Sequence, residues 1–549
     1  MPTETTETTD GVREACRKCN TLKGLCHDTR AECIKNKCPI AKIAECDCDP
    51  TSDRLLVHRE TEIICDTLTY YRGQGVSIAD LEAFAGSVSE VIFPWDPVYN
   101  SVRLNFNKRF NYFPVAIVFA KRNRDIMRTL GFAQRHGIPL AIRGGSHCSE
   151  FFSLTSGIII DQSCRKGVTV HDDAHTVEVE AGVTNGILAT SLREHGVTVP
   201  GGTCATVSVC GLCLGAGLGF AMRKYGLTAD SLLELDIILA DGTQLTCNET
   251  KNSDLFWACR GAGNGNFGIV TRLVFRTIKV KRVTIFKFTW RWSQMRAVVK
   301  RWQRIVPTAP DGLVSQLFLD RVSLESEPVV AMIGQFIGSR TEFAEIIKHF
   351  LRGIEPATSM IQYVPYIDAV KFFSVPNNNL VYYKDKNVFA FALLSDEVLD
   401  VFDRFVNKVS TNVYSKFSVA NRRVSLWSMG GRVSAVKSDA TAFWSRQALF
   451  LVQNETAWDG NANSAVNFDW VTSLFDRIRP LISEFSYANL ADLGLGASYL
   501  RAYYGDNVER LIRVKRRYDP DNVFRFPQSI PVRMPVIHES DDDSTGLDN

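Results

Sequence analysis

The stretch from Ile142 to Leu227 constrains this chain more than any other. It opens IRGGSHCSEFFSLTSG, runs through AGVTNGILATSLREHGVTVPGGTCATVSVCGLCLGAGLG and closes FAMRKYGLTADSLLE. Glycine lacks a Cβ, admits positive φ and lets backbone N–H groups reach an anion, so this clustering suits close approach to an extended diphosphate. Two glycine-rich loops are separated by one β-type run, TVEVEAGV, and one amphipathic helix, Asn185 to His195. Each loop carries a side chain that can be alkylated, His147 in the first and Cys204 in the second. Taken singly, a histidine in a Gly-Ser turn is a local hydrogen-bonding residue and an apolar-flanked cysteine is core, which is the expectation for Cys210 and Cys213. The pairing of the two loops, in this order, sets His147 and Cys204 apart.

Strand and helix patterns alternate around these loops. VAIVFA reads as a strand, Asn123 to His136 as a helix, and PLAIR and GIIIDQS as further strands. Ala240-Asp241-Gly242 marks a β-hairpin, and DLFWACRGAGNGNFGIVT closes the lobe. From about Lys279 the pattern changes. KRVTIFKFTWRW predicts a long alternating strand with charged residues on one face, followed by helix QMRAVVKRWQRIV, strands LVSQLFLD and VVAMIGQFIG, and helix TEFAEIIKHFLRGI. An antiparallel sheet with helices on one side follows. The fold class is α+β, and 549 residues call for two large lobes.

A formal net charge of +3 gives no reason to expect nucleic acid or an anionic membrane, and no apolar run reaches the 18 residues of a transmembrane span. Met1 to Gly11 has no apolar core, so no conventional secretory signal is expected; an intracellular place and export or packaging by an unconventional route both stay open. Of 15 cysteines, seven crowd into the first fifty residues. Cys16 and Cys19 have metal-ligand spacing and suit zinc, while disulfides would equally staple a segment without a core of its own. His538 to Asn549 reads as an acidic disordered tail.

The two loops carry a family resemblance. Arg143 stands four residues before His147, and Gly202, Cys204 and Val207 form a Gly-x-Cys-x-x-Val run. With the ending ASYLRAYYGDNVERLIRVKRRYDPDNVFRFPQSIP, these marks resemble the berberine-bridge-enzyme-like branch of the vanillyl-alcohol-oxidase flavoproteins, which includes the gluco-oligosaccharide oxidases. The glycine pair before the histidine is displaced by one, with Ser146 intervening, and Ala216 interrupts the family's glycine triplet in LGAGLG. The resemblance covers about residues 92–531. It implies a PCMH-type FAD-binding lobe of two subdomains and a substrate lobe on an antiparallel sheet. The divisions it suggests are a Cys-rich segment at 1–50, a linker or cap at 51–90, the FAD-binding domain at 91–277, the substrate-binding domain at 278–496, a return to the FAD lobe at 497–533 and an acidic tail at 534–549. It implies FAD held covalently at His147 and Cys204. Further cofactor contacts are expected from Arg143, Gly144, Gly145, Ser146, Cys148, Thr206, Val207, Gly211, Gly215, Gly217, Gly219, Gly268, Ile269, Val270, Tyr504 and Asn507.

In the family, a Tyr-x-Asn-Tyr-x-Asp pattern supplies a tyrosine used as base; here the run is Tyr487-Ala488-Asn489-Leu490-Ala491-Asp492. Leucine cannot take a proton, and on a strand Tyr487 would face away from position 490. Tyr363, Tyr366, Gln453 and Glu484 are the substitutes considered for the catalytic role. Val207, three residues after Cys204, is where the resemblance implies reaction with O₂. The leading reading is an oxidase that passes hydride from an alcohol carbon of a carbohydrate or specialised metabolite to FAD and then to O₂, giving H₂O₂. An oxidative cyclase or dehydrogenase of secondary metabolism, and a non-catalytic flavoprotein with a partner-binding Cys-rich segment, are the alternatives. The sequence leaves the oligomeric state open.

Overall fold

Short apolar runs build the first sheet, two of them ending in a polar residue, Arg143 and Asp161. The computed structural model describes residues 54–322, 326–374, 380–407, 420–461 and 464–535; the segment with Cys16 and Cys19 and the acidic run from residue 536 lie outside them. Strands β1 (Val91–Ile92), β2 (Ala116–Phe119), β3 (Leu140–Arg143) and β4 (Ile158–Asp161) lie in the order β1-β2-β4-β3. β2, β4 and β3 are parallel, so their apolar residues are covered on both faces. Helix Asn123–Arg135 makes the crossover after β2 and buries Ile126, Leu130 and Ala133. Its start is fixed by the Asp125 carboxylate, which accepts from the backbone N–H groups of Arg122 and Ser89 at 2.9 and 3.0 Å.

The second sheet is antiparallel and contains β5 (Val168–His171), β6 (Thr176–Glu180), β8 (Leu232–Ile238), β9 (Gln244–Asn248) and β10 (Ile269–Arg276), ordered β5-β6-β10-β8-β9. The hairpin expected at Asp241-Gly242 joins β8 to β9, with Gly242 at φ 85°. A two-stranded ribbon pairs β7 (Val197–Thr198) with β11 (Ile278–Lys279).

The third sheet has seven antiparallel strands: β12 (Arg282–Arg291), β13 (Leu313–Arg321), β14 (Val329–Phe336), β15 (Thr358–Pro365), β16 (Tyr382–Ala390), β17 (Ala420–Ser428) and β18 (Phe450–Trp458). Their order is β15-β12-β14-β13-β17-β18-β16. β12 departs from the expected strand with one charged face. Val283 and Ile285 join the apolar cluster that also holds Leu218 and Phe220, whereas Phe286, Phe288 and Trp290 join the main core. Both faces of the sheet are therefore covered, one by helices and the other by the first lobe, and β12 keeps exposed charges only at Arg282, Lys287 and Arg291. On the helix side, Trp302 is fully buried and its indole N–H donates to Ser315 Oγ at 2.9 Å. The opposite face, carrying Gln316, Phe318, Arg423, Trp427, Gln453 and Glu455, looks into a cavity.

The chain ends by returning to the first lobe along helix Val508–Tyr518. Lys515 on this helix is fully buried, and its ammonium donates to Asp519 at 2.6 Å and to the carbonyls of Asn266 and Phe524 at 2.7 and 2.6 Å. Those three bonds fix the last segment against the loop that precedes β10.

Candidate active site

A cavity of about 670 Å³ runs between the two glycine loops and the seven-stranded sheet. Gly144, Gly145, Ser146, His147 and Cys148 line it from the first loop, and Cys204, Val207 and Gly211 from the second. The loops touch through their backbones: a Cβ on Gly145 would lie 2.6 Å from Ser208 N and 3.0 Å from Thr206 O. Ser146 takes φ 57°, a conformation more easily adopted by glycine, at the position where the glycine pair is displaced. His147 Nε2 lies 2.8 Å from Thr206 Oγ1, so the second loop orients the imidazole of the first. Burial holds the imidazole pKa below its ordinary value, favouring the neutral form. In the tautomer whose Nε2–H donates to Thr206, the Nδ1 lone pair is the one available for bonding. Burial also raises the Cys204 thiol.

The floor comes from Gly268, Val270 and Tyr504, with Asn264, Gly265, Phe526 and Gln528. Gln162 lines the cavity through a buried side chain whose Oε1 has no partner, a polar atom available to a ligand.

The sheet supplies a polar wall assembled across four strands. In register, Asp320 on β13 stands opposite Arg423 on β17, Arg423 opposite Glu455 on β18, and Glu455 opposite Asp385 on β16. Arg423 bonds Asp320 at 2.9 Å and Glu455 at 3.2 Å, and the two carboxylates raise its pKa above the ordinary range against the opposing effect of burial. The Tyr383 hydroxyl donates to Glu455 Oε2 at 2.9 Å. Gln453 Nε2 sits 3.3 Å from each of Tyr383 Oη, Asp385 Oδ2 and Glu455 Oε2. Burial, reinforced by Asp385 and Glu455, pushes the Tyr383 phenol well up, and burial pushes Asp385 up to about 7. One wall thus holds a phenol on a carboxylate, a proton path without a metal ligand set.

Of the expected catalytic residues, only Gln453 lines this cavity. Tyr363 is 44% exposed on the edge strand β15, under the Arg282 guanidinium. Tyr366 starts helix Tyr366–Phe373 and bonds Thr198, away from the cavity. Glu484 is exposed and paired with Arg501 at 3.3 Å. Corrections apply among the expected cofactor contacts as well. The Arg143 guanidinium turns away to Asp161 at 2.5 Å and to the Val102 carbonyl at 2.7 Å, joining β3 to β4. Gly215, Gly217 and Gly219 serve close packing within the protein, against Asn489, Thr228 and the Gly201 carbonyl. Ile269 points into the apolar cluster with Ile126 and Phe524. Asn507 caps carbonyls of Ser438 and Thr441. Thr206 acts through His147 rather than on the wall.

Tyr487 to Leu490 forms a turn, closed by Leu490 N–H to the Tyr487 carbonyl at 3.0 Å, so both residues reach the cavity wall. The Tyr487 hydroxyl is occupied: it accepts from Gly217 N–H at 3.1 Å and from Asn489 Nδ2 at 3.0 Å. Burial pushes its pKa up to about 12. The residues missed from the sequence are Tyr383, Glu455, Asp385 and Arg423. Alternation in the segments YYKDKNV and LVQNETA was their one local signal, an acidic residue at an inward position of each.

Two family profiles match the chain, one described as an FAD binding domain over residues 114–248 and one as berberine and berberine like over 486–531. The uncharacterized FAD-linked oxidoreductase YgaK of Bacillus subtilis is 36% identical over 451 residues, covering 79% of this chain and 95% of that protein. The chain belongs to the berberine-bridge-like family of FAD-linked oxidoreductases. Among solved structures, Physcomitrella patens BBE-like 1 matches with a TM-score of 0.75 at 28% identity, over 82% of this chain and 99% of that one. A chitooligosaccharide oxidase shares the fold with a TM-score of 0.72 at 23% identity, over 82% and 98%.

FAD is therefore the cofactor of this oxidoreductase. The cavity fits it on its own terms: Gln162 offers an unsatisfied acceptor, and two alkylatable side chains face the same space. His147, Cys204, the Asn264–Asn266 loop and Tyr504 line the cavity where they would hold it.

Proposed function

We propose that this oxidoreductase is an oxidase with FAD bonded to both His147 and Cys204, taking hydride from the carbon of a substrate hydroxyl and using O₂ as acceptor. The observation that carries the reading is that His147, Cys204 and the hydrogen-bonded Tyr383–Glu455 pair line one cavity. When bound, FAD supplies the hydride acceptor and, with O₂, the route to H₂O₂. Arg423 pairs with Glu455, and Glu455 accepts the hydrogen bond of the Tyr383 phenol. Tyr383 acts as a relay, passing its phenol proton to Glu455 as it takes the substrate hydroxyl proton, so that proton loss accompanies hydride loss. Gln453 orients both acceptors and does not itself deprotonate anything. Leu490 is apolar at the wall, and Tyr487 is engaged with Gly217 and Asn489, so neither is the base.

The substrate is a neutral hydroxyl compound, a carbohydrate or an alcohol of specialised metabolism. Phe220, Phe318 and Trp427 on the wall provide apolar faces for either. The fold shared with a chitooligosaccharide oxidase supports the carbohydrate, and Val207 on the wall supports O₂ as acceptor. The test is anaerobic mixing of the holoenzyme with neutral sugars and aromatic alcohols, followed by H₂O₂ measurement in air. Tyr383→Phe and Glu455→Gln are each expected to slow flavin bleaching by about 10²- to 10⁴-fold at unchanged flavin content. Unchanged bleaching rates in both variants would contradict the proton path. Peroxide from aromatic alcohols and none from sugars would assign the substrate to specialised metabolism.

A further inference from the structure

We propose that Asn107 is a positioning residue that holds Tyr383 in place relative to the His147 loop, an inference that rests on the assignment of Tyr383 to proton transfer. β16 is the last strand of its sheet, so the outward N–H and C=O of Tyr383 have no strand partner. Residues Asn105 to Phe110 take that place as a strap. Lys108 N–H donates to the Val381 carbonyl at 2.7 Å, and Val381 N–H donates to the Phe106 carbonyl at 3.0 Å.

The carboxamide of Asn107 completes the pairing. Its Oδ1 accepts from Tyr383 N–H and from Arg109 N–H, each at 3.2 Å. Its Nδ2 donates to the Tyr383 carbonyl at 3.0 Å and to the Ser149 carbonyl at 2.7 Å. Both protons and both lone pairs of the amide are therefore used, in a side chain with no solvent exposure. Ser149 lies two residues beyond His147, so one amide ties the histidine loop directly to the tyrosine backbone.

Neighbours on the strap reinforce the link. The Phe106 ring stacks 5.4 Å from the His147 ring and stands 5.6 Å from the Tyr383 ring, and Phe106 N–H donates to the Ser146 carbonyl at 3.3 Å. Arg109 donates to the Tyr383 carbonyl at 3.1 Å and pairs with Glu150 at 3.7 Å. Asn107 touches neither the cavity nor Gln453; it reaches the site through the Tyr383 backbone and the Ser149 carbonyl of the histidine loop, and the double variant separates the two routes.

The experiment uses the full-length holoprotein as Asn107→Ala, Tyr383→Phe and the double variant, with cellobiose and coniferyl alcohol as probes of anaerobic flavin bleaching. Asn107→Ala is expected to lower kcat tenfold or more at nearly unchanged KM, with wild-type flavin retained on the denatured protein. In the Tyr383→Phe background it is expected to cost nothing further, because its route is already removed. A crystal structure of the variant is expected to show Tyr383 Oη displaced from Glu455. Equal losses in both backgrounds, or Tyr383 superposing on its wild-type position, would overturn the proposal. If Tyr383→Phe bleaches at the wild-type rate, or neither probe bleaches the wild type, the functional assignment of Tyr383 falls, and the crystal structure still decides whether Asn107 sets its place. Should Asn107→Ala not fold, Asn107→Asp, which keeps the acceptor and loses the donor, is read by the same criteria.

Discussion

Replacing Asp385 by asparagine should make the protein more stable at pH 8 than at pH 5, relative to wild type. Asp385 is fully buried on β16, directly across from Glu455, and its Oδ1 has no hydrogen-bond partner. Burial raises its pKa from 3.8 to about 7; Lys384 opposes the rise, and Glu455, Glu150 and Asp492 add to it. At ~1.36 kcal/mol per unit, a rise of roughly 3 units corresponds to about 4 kcal/mol. The folded state binds the proton more tightly than the unfolded chain. This contribution is thus fully present below pH 3.8 and is lost as pH rises to about 7. Asparagine keeps an oxygen for Gln453 and carries no charge to lose. The stability difference between variant and wild type should therefore widen by roughly 1.4 kcal/mol per pH unit between pH 5 and 7, then level off. Thermal midpoints of both proteins, scanned at one rate across pH 5 to 8, measure it. A difference that stays flat over that range, or a variant that is less stable at pH 8, would refute the reasoning.

Two further substitutions test the loops. Ala216 is fully buried at φ 88°, where an L-residue is strained by ~1–3 kcal/mol. Ala216→Gly should raise stability by about 1 kcal/mol after the entropy of the unfolded glycine is counted, read as a higher thermal midpoint. Gly145→Ala places a Cβ 2.6 Å from Ser208 N, so the loops must separate; less flavin should remain on the denatured protein than in wild type, measured by absorbance.

The two glycine loops were legible because their information is local: His147 and Cys204 sit beside the glycines that shape their own backbone. The hairpin at Asp241-Gly242 and the helix at Asn123 were legible for the same reason. The polar wall was not. Asp320, Asp385, Arg423 and Glu455 come from four strands whose order, β13-β17-β18-β16, is out of sequence, so only the register brings them into one row. Arg143 and Asn507 misled because buried polar side chains beside a site also serve the scaffold, here Asp161 and the Thr441 carbonyl. Gly215, Gly217 and Gly219 misled in the same way, since close approach by protein demands a missing Cβ as strictly as approach by a ligand. Tyr487 and Leu490 were read with strand alternation, whereas the turn at Tyr487 brings both to the same wall.

The most direct test of the account is the flavin absorbance and mass of acid-denatured wild type beside His147→Ala, Cys204→Ala and the double variant. The account predicts flavin that stays on the denatured wild type, stays through one bond on each single variant, and is released from the double variant. Release of all flavin from denatured wild type would contradict it.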